Sequence, residues 1–183
     1  YNHVFEQNKP EYLTEKQEQH EGGIVIDFDF RYEGSIKTRQ HTSDHIIDMI
    51  DLYITTMKEI LNYTDTTFQI YIFEKPDVNH VTSDNITKDG IHMIIGVKMN
   101  RSLQLMLREK ILKQLPTIWE DLPITNTWES VLDEGISQGY TNWQLYGSRK
   151  PANQAYKLTS FYDVTYDESD GEFNFVKNDG KKF

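Results

Sequence analysis

Asp27-Phe28-Asp29 sets two carboxylates two residues apart within a run of alternating apolar residues. On a strand, residues i and i+2 project to the same face, so both acids would aim at one point. Left alone they repel and one holds its proton. A divalent cation turns that conflict into a site of oxygen ligands suited to Mg²⁺ or Mn²⁺. A solvated strand face gives the same pattern, but the flanking apolar residues place this pair at a sheet surface where a cleft can form. His92 follows Lys88 by four residues and Gly90 by two. It reads either as a hydrogen-bonded structural histidine or as a donor to an anionic phosphate, with the glycine letting a substrate approach the backbone. Asp133-Glu134-Gly135-Ile136 supplies a third acid, and the segment from Asn142 to Pro151 ends in a Gly147-Ser148-Arg149-Lys150 turn. That turn offers backbone amides, the Ser148 hydroxyl and the Lys150 charge to a phosphate; a basic surface hairpin turn is the plainer reading. It lacks the GxxxxGK[ST] arrangement, which excludes a P-loop.

The elements that must hold these residues show in the periodicity. After the Gly22-Gly23 break, Ile24, Ile26, Phe28 and Phe30 alternate with Val25, Asp27, Asp29 and Arg31, which predicts a half-buried strand with a core face and an acidic face. Ile46, Ile47, Ile50, Ile54, Met57 and Leu61 recur at helical spacing, with Thr42 or Ser43 as the cap. Phe68 to Phe73 reads as a strand ended by Pro76, and Asp77 to Asp89 as a loop. Ile91, Met93, Ile95 and Val97 share one face of a further strand while His92 points to the other. A helix from about Arg101 to Gln114 takes Asn100 as its cap and stops near Pro116. A helical turn around Trp128 to Leu132 precedes a strand at Trp143 to Tyr146 and a hairpin-like return through Pro151 into a last strand at Tyr156 to Tyr166. Residues 1–21 form a partly helical lead-in. Strands mixed with helices, without regular βαβ alternation, read as α+β.

The 183 residues suit one compact domain or two small subdomains sharing a cleft. With Cys 0, disulfides, thiolate zinc sites and cysteine nucleophiles are excluded, which suits an intracellular setting. No apolar run approaches bilayer length. The chain does not start with Met and carries no signal-peptide pattern, and it reads as an excised domain. The net charge of -10 argues against strong unaided DNA affinity. The charge is uneven, however. Asp167, Glu168, Asp170 and Glu172 cluster late in the chain, whereas Lys88, Arg101, Arg108, Lys110, Lys113, Arg149, Lys150 and Lys157 offer a local basic groove.

Taken in order, a strand acid pair, a small-x-His on a later strand, and an acid followed by an aromatic-rich strand and a Gly-Ser-basic-Lys turn resemble the archaeo-eukaryotic primase superfamily. The likeness is closest to primase-polymerases and to the primase domains of nucleocytoplasmic large DNA virus primase-helicases. It runs from about Tyr12 to Tyr166, most specifically from Leu132 to Lys150. The resemblance implies a small α/β unit packed on an RRM-like unit, with the active site in the cleft between them, and residues 1–183 as a primase catalytic core cut from a longer primase-helicase. It implies a DNA primase or primase-polymerase that joins nucleoside triphosphates on a single-stranded DNA template with Mg²⁺ or Mn²⁺. Asp27, Asp29 and Asp133 would be the catalytic metal ligands. Lys88, Gly90, His92, Asn142 and Lys150 would meet the incoming nucleotide, Gly90 standing where serine is common, with Ser148 and Arg149 of the turn beside them. Gln144 departs from the arginine found in related primase-polymerases, the family's zinc module is absent, and no steric-gate residue is assignable. A fused superfamily 3 helicase, no membrane, and work in the host cytoplasm or nucleus at the site of viral DNA replication are further implications. A metal-dependent nuclease, or a non-catalytic RRM-like module with exposed aromatics in place of the acids, are the rival readings.

Overall fold

A computed structural model describes residues 6–7, 12–64, 66–151 and 153–178. Its frame is a six-stranded antiparallel sheet in an α+β arrangement. Thr14–Glu15 is β1, and the acid-bearing strand is β2, Glu21–Glu33. Along β2, Ile24, Ile26, Phe28, Phe30 and Tyr32 are buried while the alternate residues are not, as the alternation predicts. The buried face packs against α1 (Ser43–Ile60) and α2 (Arg101–Leu112). The Thr42 hydroxyl accepts from the Asp44 N–H at the start of α1, and the Asn100 side-chain Oδ1 from the Leu103 N–H at 3.0 Å at the start of α2. Ile46, Met49, Ile50, Tyr53 and Met57 form the buried stripe of α1. Ile47 falls off that stripe and is exposed.

β3 (Thr66–Glu74), β4 (Asn79–Val81) and β5 (Ile86–Asn100) correct the expected loop at 77–89. β3 and β4 both pair with the same edge of β5, so they act as one strand of a long hairpin with a break between them. The break sets four residues, 75–78, against two, Asp89 and Gly90. Pro76 cannot donate to the ladder, so the chain must leave the sheet here. Polar composition concealed the strand ends, which are held by pairing with distant residues.

Pro116 lies in the first turn of a short helix α3 (Leu115–Ile118), where proline costs no hydrogen bond. Further single turns follow at α4 (Trp128–Val131) and α5 (Glu134–Ser137). The hairpin-like return after Trp143 is not formed. β6 (Trp143–Gln144) pairs with β1, while β7 (Lys157–Asp167) pairs with β3 in the main sheet. β8 (Glu172–Lys177), absent from the sequence reading, pairs with β7 around the acidic turn at 168–171. The main strand order is β2-β5-β3-β7-β8, with β4 beside β5. Of the lead-in expected at 1–21, residues 1–5 and 8–11 lie outside the described residues, and the described stretch from Tyr12 onward carries the extended β1 and no helix.

At the β3–β4 break the core face takes up charge. Asp89 is buried and receives Arg39 through two hydrogen bonds, Nε to Oδ2 at 2.9 Å and an Nη to Oδ1 at 3.0 Å. The same guanidinium lies 3.1 Å from Glu74 and donates to the Lys75 carbonyl at 2.7 Å. His41 Nε2 lies 2.8 Å from Glu74, and the Thr159 hydroxyl donates to the other Glu74 oxygen at 2.6 Å. Burial works against the Glu74 charge, but the hydrogen bonds from His41 and Thr159 and the nearby Arg39 charge hold its pKa below the usual carboxylate range. Arg39 therefore ties the two sides of the break together. Removing one partner of a buried pair strands the other charge, so Arg39→Leu should cost about 3 kcal/mol or more in urea unfolding. Adding Asp89→Asn should recover part of that loss; a loss within about 0.5 kcal/mol for Arg39→Leu alone would show the pair is not structurally important.

Candidate active site

The backbone of β2 is held along both edges where it carries the acids. On one edge Asp27 pairs with His92 and Asp29 with Gly90. On the other, the segment that leads through α4 runs alongside. The Asn126 side-chain amide donates to the Asp29 carbonyl at 3.0 Å, the Asp133 N–H donates to the Asp27 carbonyl at 3.1 Å, and Phe28 bridges to Leu132. Arg108 is buried and donates to the Leu132 carbonyl at 2.8 and 3.2 Å, which fixes the residue before Asp133.

Asp27 and Asp29 open into a recess of about 90 Å³ shared with Lys75, His92, Asn142 and Lys150. Its size is well below the roughly 300–1,000 Å³ that encloses a drug-sized ligand, so it has room for the charged end of a ligand and not for the whole of one. His92 is nearly buried. Its ring stacks on Tyr156 with centroids 3.5 Å apart and planes 18° apart, and Trp143 lies at 4.7 Å. This packing aims Nε2 to within 3.3 Å of Asp27 Oδ1. That oxygen is buried and makes no hydrogen bond of acceptable geometry. Asp29 keeps an exposed surface, yet crowding by the atoms around the recess, followed by the Asp27 charge, pushes its pKa up to about 6. Burial lowers the pKa of Lys75, while the charges of Asp29 and Asp27 oppose that shift. Lys75 Nζ sits 4.7 Å above the Tyr156 ring.

Among the expected site residues, Asp27, Asp29, His92, Asn142 and Lys150 line this one recess. Asp133 lies beside it through the backbone, but its carboxylate caps α5, accepting from the Ile136 N–H at 2.8 Å. Among the described residues no group of three or more His, Asp or Glu side chains is gathered as a ready metal site. The orphaned Asp27 oxygen and the strained Asp27–Asp29 pair nevertheless fit a divalent cation, which would relieve both. Gly90 is required by crowding: a Cβ there would come within 2.5 Å of the Phe28 carbonyl oxygen and 2.8 Å of the Tyr156 hydroxyl. A serine at this position would meet the Phe28 backbone carbonyl, which cannot swing aside. Ser148 is buried, and its hydroxyl accepts from the Leu13 N–H at 2.7 Å, tying the basic turn to the approach to β1. Lys88 and Arg149 are not among the lining residues. Arg108 is buried, Lys110 pairs with Glu59, and Arg101 holds the Glu18 carbonyl, so these three do not build the expected basic groove. Lys75 is the site residue that sequence reading missed. Its signal was the Lys-Pro pair at the end of β3, where the chain must leave the sheet.

With this geometry in place, comparison with known proteins matches residues 1–162 to the family described as C962R protein N-terminal AEP domain. AEP stands for archaeo-eukaryotic primase. A protein of Acanthamoeba polyphaga mimivirus described as a "putative helicase" is 34% identical over 145 residues, which cover 78% of this chain and 15% of that protein. This chain therefore spans a small part of its relative's length. Among the described residues no helix is long and apolar enough to cross a membrane.

The raised Asp29 pKa sets a pH dependence with a definite sign. The folded chain holds this proton up to about pH 6, against an ordinary value of 3.8. Stability from the group is therefore complete below about pH 4 and is lost as pH rises through about 6. A cation needs the ionised form, so Mn²⁺ affinity measured by calorimetry should rise up to tenfold per pH unit below about 6 and level off above it. Asp29→Asn should abolish the step. Affinity independent of pH between 5 and 7.5 in the unaltered chain would contradict the assignment.

Proposed function

The chain belongs to this archaeo-eukaryotic primase domain family, and from that premise we propose that it is a template-directed nucleotidyltransferase, a DNA primase or primase-polymerase acting on single-stranded DNA in viral replication. One observation carries the reading: two acids fit for a cation and the cationic groups fit for a phosphate line the same recess. A nuclease needs the acids to activate water but has less use for Lys75, His92 and Lys150 around them. The acids also remain in place, which weighs against a purely binding module.

In this reading Asp27 and Asp29 would hold Mg²⁺ or Mn²⁺, and Asp133 would complete the set through the carboxylate oxygen that does not cap α5. When bound, such ions lower the pKa of a primer 3′-hydroxyl, align it with the α-phosphate and neutralise charge on the departing pyrophosphate. Lys75 brings positive charge near the acids in the unliganded chain, and its ammonium would be available to a phosphate oxygen when the acids hold a cation. His92, held by Tyr156 and Trp143, presents Nε2 to the phosphates, and Lys150 and Asn142 close the other side. Ser148 keeps the turn of Arg149 and Lys150 in place, and Lys88 approaches from further along β5.

The run β2–α1–β3–β5, with β5 between β2 and β3, supports the RRM-like unit of the two-unit fold; β1, β6 and the segment around 133–156 would stand across the cleft. We further propose that the chain is the primase part of a longer protein with a superfamily 3 helicase, working in the host cytoplasm or nucleus. The match to 15% of a protein described as a helicase supports the fusion.

A primed single-stranded template incubated with Mg²⁺ or Mn²⁺ and labelled nucleotides tests the activity. The chain should lengthen the primer. Asp27→Ala or Asp29→Ala should abolish extension while circular dichroism stays unchanged. His92→Ala and Lys150→Ala should each lower kcat/KM for nucleotide by about 1.5–3 kcal/mol, roughly ten- to hundredfold. Strand shortening without any nucleotide, or full activity in both acid variants, would overturn the proposal.

A further inference from the structure

The sheet face that carries the acids also carries a row of aromatic rings. Where helices cover one face of an antiparallel sheet, the other is ordinarily polar. Here Phe73 is the register partner of His92, and His92 that of Asp27, so all three project to the open face. Tyr71 lies two residues before Phe73 on the same face. Phe161 of β7 stands opposite it, ring centroids 6.0 Å apart and planes within 22°. Tyr146, exposed, tilts against Phe73 at 5.9 Å. Tyr71, Phe73 and Phe161 are only partly buried, and Tyr71 continues into a shallow groove floored by Gly96.

We propose that Tyr71, Phe73, Tyr146 and Phe161 form a stacking platform for the bases of a single nucleic-acid strand leading away from the acid pair. The proposal rests on the reading of the recess as a nucleotidyltransferase site and adds where the strand lies. Three observations favour this occupant. The rings are continuous with the recess through paired residues of β2, β5 and β3. Flat rings stack on any base and need no sequence readout, which suits a strand being copied. The net charge of -10 weighs against capture through phosphates, so affinity must come largely from stacking, with Lys75 and Lys150 as cations at one end. A protein partner is less well matched, because polar Gln69, Asp163 and Thr165 border the groove in place of the apolar centre of a protein interface. Acids and aromatics thus occur side by side on one face.

Fluorescence anisotropy of a labelled single-stranded oligonucleotide, with Ca²⁺ and nucleotide present to block turnover, tests the platform. Tyr71→Ala and Phe161→Ala should each weaken binding about fivefold or more. Neither should change the slope of log affinity against log salt, because a stacked base releases no counterion. Tyr71→Leu and Phe161→Leu keep apolar bulk without a flat face, so they read the same effect should an alanine variant fail to fold. They should bind as weakly as the alanine variants. Leucine variants that bind like the unaltered chain would overturn the proposal. So would a concentration-dependent dimer, seen by sedimentation, that Tyr71→Leu dissociates. Calorimetric titration of nucleotide alone into the unaltered chain tests the underlying reading separately: nucleotide binding together with intact strand binding in the leucine variants would remove the platform and leave the nucleotidyltransferase site standing.

Discussion

Two carboxylates forced onto the same side of one strand set the terms for the rest of the molecule. Asp27 and Asp29 cannot turn away from each other, because β5 pairs with one edge of β2 and the segment from Asn126 to Asp133 hydrogen-bonds to the other. Their repulsion is therefore built into the backbone. Burial and, after it, that repulsion push the Asp29 pKa up to about 6, and one Asp27 oxygen is left without a hydrogen bond. A group placed there must either withdraw charge or bring the opposite charge with it.

The surroundings follow from that constraint. Lys75 supplies positive charge because the chain leaves the sheet at Pro76, four residues facing two across the ladder. Such an excursion would be loose on its own. Beneath it, on the core face, Arg39 binds Asp89, approaches Glu74 and holds the Lys75 carbonyl, so the break has a fixed shape. His92 is steadied from the other side by Tyr156, which occupies the space a side chain at Gly90 would need. The acidic recess and the buried ionic cluster thus lie on opposite faces of the same strand ends.

The sequence disclosed what local rules govern. The alternation in β2, the caps of α1 and α2 and the shared face of Asp27 and Asp29 depend on neighbours within a few residues, and each is found as expected. The convergence of His92, Asn142 and Lys150 on the acids was reached through the order of motifs, since no spacing rule links residues so far apart. Lys75 and the Arg39, Glu74 and Asp89 cluster were not legible, because they arise from register between strands. The pairing of β6 with β1 in place of a hairpin was hidden for the same reason, and the acidic turn before β8 looked like a solvated tail. Ser148 carries a structural role that composition did not reveal. Its hydroxyl suits a phosphate by composition, yet the Leu13 N–H uses it to hold the turn.

The central claim is that the crowded acids are there to hold a cation beside a phosphate. Crystals of the chain grown with Mn²⁺ and a non-hydrolysable nucleoside triphosphate, measured at the manganese absorption edge, address it directly. The account predicts an anomalous peak bound by the carboxylates of Asp27 and Asp29, with phosphate oxygens in contact with His92 or Lys150. An ordered nucleotide whose Mn²⁺ lies away from both carboxylates would contradict it.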